Sequence, residues 1–233
     1  MKSPLLFLPL LFLQLPLTAQ VTEVVRPGSP ETVTITTVPP RAQPLDSMVV
    51  RRQLSIAPRV MAATPAVPVA PATQAPVVEK ITRTTTTVDT PGEGRRVYNV
   101  ERHVVTVQDQ NQTRELPYVT LPVLFVKETA ELLDQESRSS LDQMAGVIKE
   151  VIQAEPGATF EIEGHTSTDG ADDFNLTLSG ARAQRVYDEL TQHYGIPPGV
   201  LTGHGYGERF PQFPNGTEEQ MQQDRRVLVV RTK

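Results

Sequence analysis

The chain of 233 residues contains no cysteine. Its fold therefore rests on no disulfide, and no thiol stands behind a leader to carry a lipid. A bilayer-spanning run is missing as well: the longest apolar stretch, Leu5 to Leu17, is short and is broken by Pro9 and Pro16. With Lys2 before it and Thr18-Ala19 after it, the stretch has the form of a secretory leader cut near Ala19. Residues 1–19 are thus expected to be a signal peptide, and the mature chain to be exported without a transmembrane segment.

Positive charge is scarce in the second half. Residues 1–119 carry 12 Lys and Arg against 9 Asp and Glu, net +3, whereas residues 120–233 carry 10 against 18, net −8. That balance disfavours a polyanion, so no nucleic-acid partner is expected. Close-spaced metal ligands are lacking too. His103, His165, His193 and His204 include no zinc-type pair, and no cysteine supports one, so neither a metal nor a cofactor is expected. His165 and His204 would approach each other only if their strands were neighbours. Ser167, His165 and Asp169 are the residue types of a hydrolytic triad, yet they crowd into one loop without a G-x-S-x-G elbow. The chain is expected not to be an enzyme.

What the chain has in quantity is proline, with 16 of 21 before residue 123. Proline fixes φ and withholds an amide donor, so residues 20–80, with "VPPRAQP" and "TPAVPVAPATQAPVV", are expected to form a disordered, extended spacer without helix or ladder. Residues 81–116 change character: "KITRTTTTVDT" and "RRVYNVERHVVTVQ" flank the turn signal "PGEG", which predicts a β-hairpin. Two strands alone are marginal in water, so this hairpin must pack on something. The sequence does not identify the partner; an outer-membrane protein is one candidate.

From about residue 118 the pattern is that of an α+β domain. "LPVLFV" suggests a buried strand. Asp134 is placed to cap a helix whose apolar stripe contains Leu141, Met144, Ala145, Ile148, Val151 and Ile152. "ATFEIEG" alternates as a half-buried strand, and a second helix carries Ala183, Val186, Tyr187, Leu190 and Tyr194 on one stripe until Gly195 and Pro197. "VLTGHGYGE" follows as a strand, "TEEQ" has capping-box form for a short helix, and "RRVLVVRT" closes as a strand covered on both faces. The sum is β-α-β-α-β-α-β over residues 118–233, with helices packed on a mixed sheet.

One residue sits against its local electrostatics. Ser179 is a favoured N-cap, which would put Arg182 in the first turn of the second helix, where the macrodipole opposes a cation by roughly 0.3–1 kcal/mol. Either Arg182 pairs with Asp172 or Asp173, or points into water, or it joins the exposed amides of the helix tip to form a fork for a carboxylate.

The stretch "GHTSTDGADDFNLTLSGARAQRV" resembles the signature of the OmpA-like C-terminal domain, G-H-T-D-x-x-G-x-x-x-x-N-x-x-L-S-x-x-R-A-x-x-V, found in OmpA proteins, peptidoglycan-associated lipoproteins and MotB stator proteins. Gly164, His165, Thr166, Gly170, Asn175, Leu178, Ser179, Arg182, Ala183 and Val186 match at the family spacing, and "LFVKETAEL", "GIPPGVLTGHGYGE" and "DRRVLVV" agree on either side. The resemblance implies non-covalent binding of the peptidoglycan stem peptide through the zwitterionic end of diaminopimelate, and a place in the periplasm at the outer membrane or cell wall. It assigns the carboxylate to Arg182, loop ordering to Asn175, and pocket-lining places to Thr166 and Arg225. Ser167 stands where the family has the Asp that meets the ammonium. Charge-assisted bonds contribute about 1.5–3 kcal/mol against roughly 0.5–1.5 for neutral ones, so this loss matters. Asp169, two residues on, either replaces that carboxylate or turns the loop before Gly170. Asp224 replaces the usual Asn and would either neutralise Arg225 or restore charge to the pocket. The alternative to wall binding is a structural or protein-interaction module whose pocket has been blunted by Ser167.

Overall fold

A proline-free interval between Pro44 and Pro58 changes what the arm does. The computed structural model describes residues 44–61, 88–90, 94–109 and 112–233. The expected signal peptide and most of the expected spacer lie outside them. Every described residue belongs to one compact unit, Arg41–Lys233. Within the stretch expected to be a plain spacer, α1 (Ser47–Leu54) forms, capped by Asp46, whose carboxylate accepts from the amides of Met48 at 3.0 Å and Val49 at 3.2 Å. Val50 and Leu54, one helical turn apart, are buried in the main core. Each such side chain contributes roughly 1.5–3 kcal/mol by leaving water, enough to hold a short helix that propensity alone would not. Arg231 fastens it by donating from Nη1 to the Leu54 carbonyl at 3.0 Å. The expectation of an unstructured segment fails here because the proline density was averaged over a stretch that contains this gap.

β1 (Arg59–Met61) follows and pairs antiparallel with a strand far along the chain. β2 (Val88–Thr90) and β3 (Gly94–Asn99) form an antiparallel hairpin about residues 91–93. β4 (Val104–Gln108) and β5 (Thr113–Leu121) extend it into a meander. The partner that the sequence could not identify is the C-terminal domain's own sheet. β5 pairs with β4 and β1 through its first half and, from Tyr118 to Leu121, with the last strand of the chain. No break separates residues 116 and 118. The strand also ends before most of "LPVLFV": Pro122 withholds its amide, and beyond it only Phe125 makes an isolated bridge, to Leu132.

α2 (Gln135–Ala154) starts at the Asp134 cap, β6 (Phe160–His165) follows, then α3 (Asp172–Asp188), β7 (Leu201–Gly207), α4 (Glu218–Asp224) and β8 (Val227–Arg231). α4 has the expected capping box, Thr217 and Gln220 each accepting from the other's amide. The strand order is β2-β3-β4-β5-β8-β6-β7, with β1 beside β5, and the β6–β7 pair is parallel while the others are antiparallel. This is the expected α+β architecture, a mixed sheet with helices packed on one face. β8 lies at the centre, and its residues alternate between two cores: Val227 and Val229 face α2 and α3, Leu228 and Val230 face the other way.

The second core explains the meander. Tyr98, Val105, Val107, Leu116 and Tyr118 pack with Tyr206, Phe210, Leu228 and Val230 on the face away from the helices. β4, β5 and β8 separate β3 from β6 in the sheet order, yet Arg96 on β3 bonds Glu161 (2.9 Å) and Glu163 on β6, and the Tyr98 hydroxyl donates to Glu163 at 2.8 Å. The sheet curls on itself around these side chains. Glu163 is fully buried; burial raises its pKa against the pull of Arg96 and Tyr98. Burial also works against the charge of Arg96, but the Glu163 and Glu161 carboxylates outweigh it and keep the guanidinium protonated.

α3 approaches the sheet at two glycines. A Cβ on Gly164 would stand 2.1 Å from the Ser179 carbonyl oxygen, and one on Gly205 would stand 2.2 Å from the Gly180 amide nitrogen. Backbone meets backbone here, so nothing flexible can give way. Gly164→Ala should therefore lift α3 and cost about 3 kcal/mol, a fall in Tm of roughly 6–12 °C. Thermal unfolding followed by circular dichroism checks this, and an unchanged Tm would contradict the contact.

Candidate functional site

The loop from Thr166 to Ala171 joins β6 to α3 and is clipped from behind. Asn175, buried in the first turns of α3, donates from Nδ2 to the carbonyls of Ser167 (3.4 Å) and Asp169 (3.0 Å) and to Glu208 Oε2 at 2.6 Å. The Thr166 amide donates to the Gly207 carbonyl at 2.9 Å. Gly170 has φ +103, a conformation that side chains rarely adopt. Asn175 is thus spent on ordering the loop, while Thr166 is buried with its hydroxyl unpartnered among the described residues.

Arg182 does not lie in a first turn. α3 begins at Asp172, with Ala171 at the N-cap position, so Arg182 is past the middle of the helix, and the first turn holds Asp172 and Asp173 as the macrodipole favours. Ser179 is no cap. Its hydroxyl donates to the Leu176 carbonyl (2.9 Å) and accepts from the Gly207 amide (2.8 Å), so its small size serves the contact with β7. The helix tip expected beside Arg182 is therefore absent, since both Ser179 and Arg182 lie inside α3.

The guanidinium of Arg182 is held by two contacts. Its Nε donates to the Thr129 carbonyl at 3.0 Å, and its plane lies 5.0 Å from the centre of the Phe125 ring. It is 8% exposed, makes no ion pair with Asp172 or Asp173, and no described side chain takes up its terminal nitrogens. Burial, with the nearby charge of Arg225 second, holds its pKa down to about 10. The charge of Arg225 is thus felt at Arg182, and among the described residues no carboxylate pairs with Arg182.

Arg225, at the end of α4, has its own partners. Its Nε donates to Ser167 Oγ at 3.2 Å, and both terminal nitrogens fork onto Glu218. The Asp169 carboxylate stands 4.0 Å from Nη2 and is 73% exposed at its side chain. The hydrogen bond from Arg225, then its charge and that of Lys127, hold the Glu218 carboxyl below the usual range. Ser167, Asp169, Arg182 and Arg225 are brought together; Asn175 supports them from behind.

Asp224 corrects both sequence-based expectations. It turns inward, accepting from the amides of Gln212 (2.6 Å) and Phe213 (3.2 Å) and pairing with Arg226 at 3.3 Å. It neither neutralises Arg225 nor reaches the pocket. The histidine strands are neighbours, but Tyr206 stacks between the rings, 5.6 Å from His165 and 4.4 Å from His204. Burial, with the charges of Arg226 and Arg96, drives the His165 pKa well below its usual value, and its Nε2 faces Glu163 at 3.4 Å. Ser167 gives its hydroxyl oxygen to Arg225, so the three triad-type residues form no proton relay. Among the described residues no group of three or more His, Cys, Asp or Glu side chains is gathered as for a metal.

Sequence reasoning missed Phe125, Thr129, Glu208 and Glu218. The first two lie in "LFVKETAEL", which the resemblance flagged without assigning roles. Glu208 is unmarked because its partner Asn175 is remote in sequence, and Glu218 because its fork with Arg225 depends on how the short α4 ends.

Residues 124–225 match the model of the OmpA family. Outer membrane porin F of Pseudomonas aeruginosa is 33% identical over 113 residues, which are 48% of this chain and 31% of the porin. The putative lipoprotein YfiB of Escherichia coli is 35% identical over 111 residues, 47% of this chain and 66% of YfiB. The chain thus spans less than two thirds of either relative. Among solved structures, the peptidoglycan-associated lipoprotein from Burkholderia pseudomallei aligns at 24% identity over 47% of this chain and 88% of its own, with a TM-score of 0.41.

Proposed function

Because residues 124–225 belong to the OmpA family, we propose that this chain binds peptidoglycan without covalent chemistry and anchors itself, or the cell envelope, to the wall. The ligand group in this reading is the free end of diaminopimelate in the stem peptide. The observation that carries it is Arg182: an arginine only 8% exposed, its Nε on the Thr129 carbonyl, its terminal nitrogens taken up by no described side chain, and within electrostatic reach of Arg225. Keeping such a cation out of water is costly unless an anion joins it, and a ligand carboxylate fits the planar fork. Thr129 and Phe125 fix its direction, so little ordering remains to be done on binding. The same corner holds carboxylates for the ligand's ammonium. No covalent step is needed, and the protein acts as a tether in the periplasm.

No helix among the described residues is long and apolar enough to cross a membrane. An outer-membrane partner would have to use the outer side of the meander, since Arg96 and Tyr98 commit its inner side to the core. The alternative, an interaction module with a weakened pocket, draws on Ser167 and on the occupation of Arg225 by Glu218.

Co-sedimentation of the full chain with purified diaminopimelate-type sacculi tests the proposal. The wild type should pellet, Arg182→Ala should stay in the supernatant, and Ser167→Asp should pellet at lower sacculus concentration. Equal behaviour of wild type and Arg182→Ala would favour the interaction module.

A further inference from the structure

Resting on the wall-binding reading, we propose that Glu218, together with Asp169, supplies the carboxylate missing at position 167, so that the ligand's ammonium is received beside Arg225. The hydroxyl oxygen of Ser167 already accepts from Arg225 Nε and brings no charge. Arg225 itself is flanked by two carboxylates, Glu218 on its terminal nitrogens and Asp169 at 4.0 Å. Arg225 thus meets two carboxylates, while no described carboxylate pairs with Arg182. A zwitterion fits this pair of corners in one orientation only, carboxylate toward Arg182 and ammonium toward Glu218.

Two acidic side chains alone would not make a site. The independent sign of a ligand is Arg182, 8% exposed, whose Nε is fixed on the Thr129 carbonyl, whose terminal nitrogens no described side chain takes up, and which lies within electrostatic reach of Arg225. Both carboxylates are open to water, with side chains 62% and 73% exposed, so a ligand reaches them without a change of fold. Glu218 retains acceptor capacity: a carboxylate offers about four lone-pair sites, of which the Arg225 fork uses two. The fork and the capping box of α4 also hold Glu218 in place, whereas Asp169 must be ordered on binding. Glu218 therefore carries the larger share. The charge of Lys127 is felt at Glu218, so a basic group already lies within electrostatic reach of this carboxylate.

The test uses the full chain and two probes in isothermal titration: a diaminopimelate-containing stem tripeptide, and the same tripeptide with its free side-chain amine acetylated. Glu218→Gln should weaken binding of the free-amine probe tenfold or more, Asp169→Asn less, and both together most. Ser167→Asp added to the double variant should restore affinity, because it returns a carboxylate to the other side of the ammonium. The acetylated probe should bind the wild type weakly and lose nothing further on Glu218→Gln, which separates recognition of the ammonium from a structural role. If Glu218→Gln binds the free-amine probe like the wild type while Arg182→Ala does not, the assignment to Glu218 is overturned and wall binding stands. If the wild type binds no better than Arg182→Ala, wall binding falls and takes this assignment with it.

Discussion

Arg182→Met is expected to abolish retention on sacculi and, in the same protein, to raise Tm. The two effects have one cause. A base whose folded pKa lies below its unfolded value is destabilising wherever it stays charged. For Arg182, held at about 10, the cost is fully present at neutral pH and is relieved only as pH rises from about 10 toward 12.5. Methionine keeps the apolar contact with Phe125 and removes the buried charge. Against that gain stand the lost hydrogen bond to Thr129 and the lost cation–π contact, about 1 kcal/mol each. After screening, the balance is a gain of about 1 kcal/mol, or a rise of roughly 2–4 °C. Thermal unfolding and co-sedimentation on the same preparation check both signs. A variant that loses binding and stability together would make Arg182 a structural residue instead.

Arg96→Met should be the most damaging side-chain change away from the site. It leaves Glu163, which is fully buried, without its counter-charge, and Glu161 with the Tyr206 hydroxyl but no cation. Removing one member of a buried pair costs about 3–5 kcal/mol, which for a unit of this size lowers Tm by roughly 6–20 °C. The loss is uncompensated charge more than lost attraction, so Arg96→Met combined with Glu163→Gln should recover at least half of it. A double-mutant cycle on Tm or urea midpoints measures this coupling. Additive losses would show that β3 is held by its apolar contacts alone. Hydrogen exchange should quicken first in β3 of the single variant, because Arg96 and Tyr98 tie that strand to β6 across the curl of the sheet.

The order of helices and strands from residue 118 onward was legible because each rests on local signals. Asp134 caps, Phe160 and Ile162 alternate, and Thr217 and Gln220 form their box. Ser179 was misread for a physical reason. A serine before a glycine looks alike whether it starts a helix or lets a helix lie against Gly164 and Gly205, and only the facing strands distinguish the two. The apparent conflict between Arg182 and the helix dipole followed from that misplacement and disappears with it. Proline counts hid α1, whose stability comes from the core it meets rather than from its own residues. The site was half legible: Arg182, Ser167 and Arg225 could be named from the motif and Asp169 from its spacing to Ser167, but Glu208 meets Asn175 only through chain folding back from a distance, and the Glu218–Arg225 fork depends on how α4 ends.

β5 has a consequence for how the chain can be divided. A fragment beginning at residue 124, where the family match starts, would strip β8 of its antiparallel neighbour along Tyr118–Leu121 and leave Val227-Leu228-Val229-Val230 with a raw, apolar flank. Such a flank is a template for foreign strands, and truncation there invites self-association. A well-behaved piece is therefore expected to be longer than the stretch matched by the family model, because the meander keeps the sheet from recruiting its neighbours.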